Sequence, residues 1–179
     1  MDKLEEVQAQ DLKVMEGPVG IFAAMWDLWH GMEAAAAAKG YDIFLAGKRA
    51  RLNMAALRQL LTWLAVEQHA EKFHHSLPNL LDQTKRDLET LRKKDRDYGG
   101  SWKQRGGVGA MMMACRKWDR IQQQVNNFCG DLYRAMRQDQ RDEGIADDVN
   151  DLRCYLLLIE AEWQCKDELL EGDETPFEE

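Results

Sequence analysis

Apolar residues recur along this chain at intervals of three and four, the spacing that lines one face of an α-helix. Leu4, Val7, Leu12 and Met15 predict a short amphipathic helix over about 3–15, stopped by Gly17-Pro18. Phe22, Met25, Trp26, Trp29 and Met32 mark a second helix running to about Lys39, with the alanine run Ala34–Ala38 near its end. Small residues there would let another backbone approach closely. Gly40 and Gly47 bracket a short apolar link, YDIFLA. Leu57, Leu60, Leu61 and Leu64 face inward from a third helix over about 49–73. Ser76-Leu77-Pro78-Asn79 reads as a turn, with Asn79 a candidate cap for a fourth helix that reaches about Asp97 and buries Leu81, Leu88 and Leu91.

A loop follows, DYGGSWKQRGGVG at 97–109, with five glycines interleaved with aromatic and basic residues. Val108, Met111, Cys115, Trp118, Ile121, Val125 and Phe128 then form the seam of a fifth helix over about 108–128. A polar stretch at about 137–144 leads into the last helix, about 145–170, with Ile145, Val149, Leu152, Leu156 and Ile159 as its core stripe. No strand alternation is sustained, and no internal repeat occurs. The pattern predicts an all-α, antiparallel helix bundle. It reads as one domain over 1–179: N-terminal helices at 1–78, a core at 79–170 and an acidic tail at 171–179.

Composition agrees with this picture. Three prolines among 179 residues, 45% hydrophobic and 31% charged residues describe a helix-rich globular chain with room for a core of its own. The formal charge of −8 argues against a nucleic-acid polymer as partner, because such binding neutralises phosphates with Lys and Arg. A local basic cluster could still hold a nucleotide. Cys115, Cys129, Cys154 and Cys165 lack C-x-x-C spacing and are expected to be free, mostly buried thiols in a reducing cytoplasm. No apolar leader opens the sequence and no apolar run is long enough to span a membrane, so the expected location is cytoplasmic.

The candidate chemistry lies in EGIADDVNDLRCY, 143–155. Glu143, Asp147 and Asp151 stand at four-residue spacing, and Asp148 and Asp151 at three, so their carboxylates crowd consecutive turns. A hard divalent cation would relieve that repulsion. Acids favouring the dipole at a helix N-terminus are the structural alternative, which fits Glu143 and Asp147 better than Asp151. Asp119 sits at the edge of the fifth helix's seam, as if facing the acidic helix across a cation. Arg116, Lys117 and Arg120 around it read either as a solvated basic face or as a clamp on phosphate oxygens, which Lys103 and Arg105 could extend. Tyr98 and Trp102 would either stack a nucleobase or plug the bundle end. The four histidines read as structural.

The segments DYGGSWKQRGGVGAMMMACRKWDRI and DEGIADDVNDLRCYLLLIEAE resemble phage-encoded relatives of the MazG-like all-α nucleotide pyrophosphohydrolases, with the MazZ group of 2-aminoadenine phages the most similar. The resemblance covers about 90–165. It implies a metal site in which an E-x-x-E helix faces an E-x-x-D helix. Asp148-Val149-Asn150-Asp151 matches the second element with Asp in place of Glu, while KWDR offers only Asp119 for the first. Asp119, Glu143, Asp147, Asp148 and Asp151 would then hold two or three Mg²⁺ or Mn²⁺ ions, with Asp148 and Asp151 catalytic. The implied activity is a nucleoside triphosphate diphosphohydrolase, converting a purine nucleoside triphosphate, dGTP or GTP, to the monophosphate and pyrophosphate. The dGMP would supply 2-aminoadenine nucleotide synthesis. A homodimer or homotetramer is the implied assembly. From a different class comes the alternative of a non-catalytic acidic oligomer, binding partners through its Trp-rich helix and alanine run.

Overall fold

In a computed structural model, residues 18–69 and 77–171 are described, and the elements among them are helices. They are α1 (Pro18–Ala37), α2 (Gly47–His69), α3 (Leu77–Tyr98), α4 (Gly106–Asn127), α5 (Leu132–Gln138) and α6 (Ile145–Glu171), with 3₁₀ turns at Ile43–Leu45 and Ser101–Lys103. The all-helical expectation holds. The helix expected over 3–15 lies outside the described residues.

α1 packs along α2, α4 along α6, and α2 joins the two pairs through α6. The stripes meet as their spacing requires. Met25, Trp29 and Met32 of α1, Met54, Leu57 and Leu61 of α2, Met111, Trp118, Ile121 and Val125 of α4, and Ile145, Val149, Leu152 and Leu156 of α6 share one core. Burial of each such side chain contributes roughly 1.5–3 kcal/mol. Trp118 is the hub. Its ring stacks on Trp29 at 5.0 Å between centroids and 10° between planes, and on Phe22 at 6.0 Å and 14°. Trp29, Met32 and Ala36 are thus spent inside the chain, and Trp26 is half-buried on His30. The Trp-bearing face of this helix is therefore packed inward, while Ala34, Ala37 and Ala38 of the alanine run are exposed.

The chain makes sharp use of its short links. Asp42 caps the first 3₁₀ turn, its carboxylate accepting from the Phe44 amide at 3.0 Å. Gly107 lies so close to this cap that an added Cβ would stand 1.8 Å from Asp42 Oδ1. Trp163 of α6 closes the same corner, donating from Nε1 to the Phe44 carbonyl at 3.1 Å. After α3, Gly99 and Gly100 both take positive φ, 52° and 67°, a reversal that side chains resist.

Several expectations are corrected. Leu77 to Asn79 already belong to α3, so Asn79 is not its cap. The glycine loop is shorter than 97–109, because α3 runs through Tyr98, a 3₁₀ turn follows, and α4 starts at Gly106. Helix α5 was not anticipated. Its Asp131 cap accepts from the Arg134 amide at 2.8 Å, but seven residues are too few to show a stripe. Val108 and Leu88 are 41% and 44% exposed instead of inward, while Gln83 and Asp87 of α3 are buried. The cysteines are free, but only Cys154 is buried; Cys115 is half-buried and Cys129 and Cys165 are exposed. No helix among the described residues is long and apolar enough to cross a membrane.

Candidate functional site

Helix α3 approaches α2 and stands off α6, reaching it through long polar side chains. The gap is a cleft of about 510 Å³. That volume lies in the range of small-molecule sites. α3 contributes Gln83, Arg86, Asp87, Thr90 and Lys94, α4 contributes Lys117, α6 contributes Asp147, Asn150, Asp151, Arg153 and Cys154, and Glu143 comes from two residues before α6. Four cations and four carboxylates therefore line one cleft.

Asp151 is the centre of this arrangement. Lys94 donates to one carboxylate oxygen, and Lys117 reaches the other at 2.8 Å. Burial opposes its ionisation, but the two lysines outweigh burial and hold the carboxyl below its ordinary range. Burial likewise opposes the charge on Lys94, and the hydrogen bond to Asp151 overcomes it and raises the ammonium. Asp148 lies behind the wall with no exposed surface. A lone buried carboxylate would cost several kcal/mol. Lys117 at 3.3 Å, Arg120 at 3.3 Å and Arg141 at 3.2 Å enclose this one. Arg141 is itself gripped by Asp139 at 2.6 Å, and Asp139 accepts from the Ile145 amide at 2.7 Å, which satisfies a free donor at the start of α6. Arg141 is the main reason the Asp139 carboxyl falls to about 2.

At the cleft's other wall Arg153, 3% exposed, donates from Nη2 to Asp87 at 2.5 Å, and Gln83 donates to the same oxygen at 2.9 Å. Arg153 Nε and Nη1 and Asn150 Oδ1 are buried without hydrogen-bond partners among the described residues. Buried polar atoms are rarely left so, since each costs about 1–3 kcal/mol.

The predicted site residues divide accordingly. Lys117, Glu143, Asp147 and Asp151 meet at the cleft. Asp148 serves as an enclosed anchor, and Arg120 pairs with it and with Glu143 at 3.7 Å. Asp119 is exposed and away from the cleft lining. Its charge is felt instead at Cys115, where burial first, then Glu33 and Asp119, push the thiol up to about 12. Asp119 therefore does not join the acids of α6 at the cleft; the neighbour that feels its charge is Cys115, which feels Glu33 of α1 as well. Arg116 and Arg105 are exposed and do not line the cleft, and Lys103 pairs with Glu162 at 2.6 Å. Trp102 lines a niche next to the cleft, and the side chain of Tyr98 lies outside the described ones.

As metal ligands, the five acids fit only in part. Among the described residues no three His, Cys, Asp or Glu side chains converge into a ligand group. Glu143, Asp147 and Asp151 do offer hard oxygen donors on the cleft wall, the donor type Mg²⁺ and Mn²⁺ take. The residues that spacing did not reveal are Gln83, Arg86, Asp87, Lys94, Asn150 and Arg153. Those on α3 signalled themselves only as a polar face opposite its leucines, the pattern of any solvated helix. Compared with known proteins, the chain matches no family model, no curated protein and no solved structure.

Proposed function

We propose that this protein is a metal-dependent nucleoside triphosphate pyrophosphohydrolase that works in the cleft between α3, α4 and α6. The observation that carries the reading is the buried Arg153, with two nitrogens unpartnered, on a wall that also presents Arg86, Lys94 and Lys117. Such a wall suits a polyanionic chain of phosphates, since charge-assisted hydrogen bonds to phosphate oxygens are about twice as strong as neutral ones. The acids paired with these cations hold them in place before substrate arrives. In this reading Lys94, Lys117 and Arg86 take the phosphate oxygens. Arg153, oriented by Asp87, fixes the innermost group. Together they neutralise charge that builds on the leaving pyrophosphate. Mg²⁺ or Mn²⁺ held by Glu143, Asp147 and Asp151 would supply a more acidic bound water for attack on phosphorus.

The resemblance of 90–165 to the MazG-like enzymes supports the choice of a purine substrate, with guanine ahead of adenine, and of a homodimer or homotetramer. The test is a nucleotide panel incubated with Mg²⁺ or Mn²⁺. Pyrophosphate and the nucleoside monophosphate are expected in equal amounts, fastest from dGTP and GTP. Release of tripolyphosphate, or no turnover of any nucleotide, would overturn the reading.

A further inference from the structure

A second hollow, a niche of about 80 Å³, adjoins the cleft and shares Lys94, Asp151 and Cys154 with it. Its character is different. Leu91, Trp102, Tyr155 and Leu158 give it apolar and aromatic walls, and the Lys94–Asp151 pair stands at the junction. Tyr155 projects from α6 one turn beyond Asp151. Trp102 comes from the 3₁₀ turn after the Gly99-Gly100 reversal, and Lys103 pins that turn to α6 through Glu162 at 2.6 Å. Both rings are half-buried, and among the described residues neither packs on another aromatic ring. Burial, then the nearby Asp151 charge, raises the Tyr155 phenol and keeps it neutral.

The combined groove is polar and cationic at one end and aromatic at the other, the layout of a nucleotide. We infer that the niche is the base subsite, with Trp102 and Tyr155 as its stacking walls and the Lys94–Asp151 pair marking where the phosphate cleft begins. This rests on the reading of the cleft as a triphosphate site. The niche suits one flat ring, while the sugar and phosphates occupy the wider cleft. Stacking supplies most of the affinity there and is tolerant of base identity.

The experiment measures binding by calorimetry with two probes in Mg²⁺: guanosine α,β-methylene triphosphate, which resists cleavage, and inorganic tripolyphosphate. Trp102→Leu and Tyr155→Leu keep apolar bulk and remove the ring. Each is expected to weaken binding of the nucleotide analogue by roughly tenfold, the low end of stacking contributions, and to leave tripolyphosphate binding unchanged. Tyr155→Phe should bind the analogue like the parent protein. Equal losses for both probes, no loss for either, or a parent protein that binds the two equally well would overturn the base subsite and leave the phosphate cleft standing. A parent protein that binds neither probe would overturn the triphosphate reading and this inference with it.

Discussion

Asp148 and Asp151 are three residues apart on one helix and do opposite work. Asp148 is sealed behind the wall with three cations, so its charge balances Lys117, Arg120 and Arg141. Asp151 is half-buried in the cleft and shared between Lys94 and Lys117. Asp148→Ala should therefore act on stability: it removes the buried carboxylate that three cations share and leaves each with a single acid partner, Asp151, Glu143 or Asp139, at a cost of about 3 kcal/mol in urea unfolding. A loss below about 1 kcal/mol would show that water reaches the site. Asp151→Asn keeps shape and loses charge; in the proposed function it should abolish pyrophosphate release, and it should lower the urea midpoint by less than Asp148→Ala because Asp151 is only half-buried. Unchanged turnover at saturating Mg²⁺ would remove Asp151 from the machinery. Spacing had singled out both carboxylates, but it could not divide their roles. That division depends on Lys94 and Arg141, one on another helix and one before α6, which no helical period links to 148 or 151.

At the scale of elements, the core stripes were legible because burial imposes the period on the residues themselves. Met25, Trp29, Leu57, Leu61, Trp118, Ile121, Leu152 and Leu156 all lie where the pattern put them. α3 was misread for the complementary reason. Its buried face carries Gln83 and Asp87, because it borders a cleft and not the core, and its Leu88 faces out. Polarity alone does not tell a solvated face from a lined cavity. Glycine signalled turns well, but not close approach: Gly107 is needed where α4 crosses the Asp42 cap. Gly107→Ala should displace the Asp42 carboxylate from the Phe44 amide and cost about 1–3 kcal/mol, read as a lowered Tm. An unchanged Tm would mean the corner yields freely. The approach to α6 has a pH signature. Asp139 is held at about 2, below the ordinary 3.8, so its contribution is complete above that ordinary value. It should fade as pH falls from about 4 towards 2. Urea midpoints over that interval should drop, and Asp139→Asn should flatten the slope; an unchanged slope would assign the acid loss to other groups.

For the whole molecule, the placement of apolar surface changes the expectation about assembly. α1 cannot drive self-association with Trp29 and Met32, which are buried. What the described surface offers instead is Val108 and Met112, one turn apart on α4, with Val19, Leu45, Leu52 and Leu88 elsewhere, all more than 40% exposed. The proposed homodimer or homotetramer should appear in light scattering at micromolar concentration as a whole multiple of the chain mass. Val108→Lys with Met112→Glu should shift it towards the monomer if that face is used. A single-chain mass for the parent protein would sink the proposed assembly.

The aromatic hub described around Trp118 also fixes how the protein interacts with light. Trp29 and Trp118 lie parallel at 5.0 Å, with Trp26 at 6.3 Å, so their excited states are shared. The Trp118 indole N–H is buried with no partner among the described residues, which places its emission in a dry, blue-shifted environment. Trp102, in the turn over the niche, stands apart from this group. Of the six tryptophans, three thus form a core cluster whose colour follows the integrity of the bundle, Trp63 and Trp163 stand outside it, and Trp102 is the indole whose brightness follows what enters the groove.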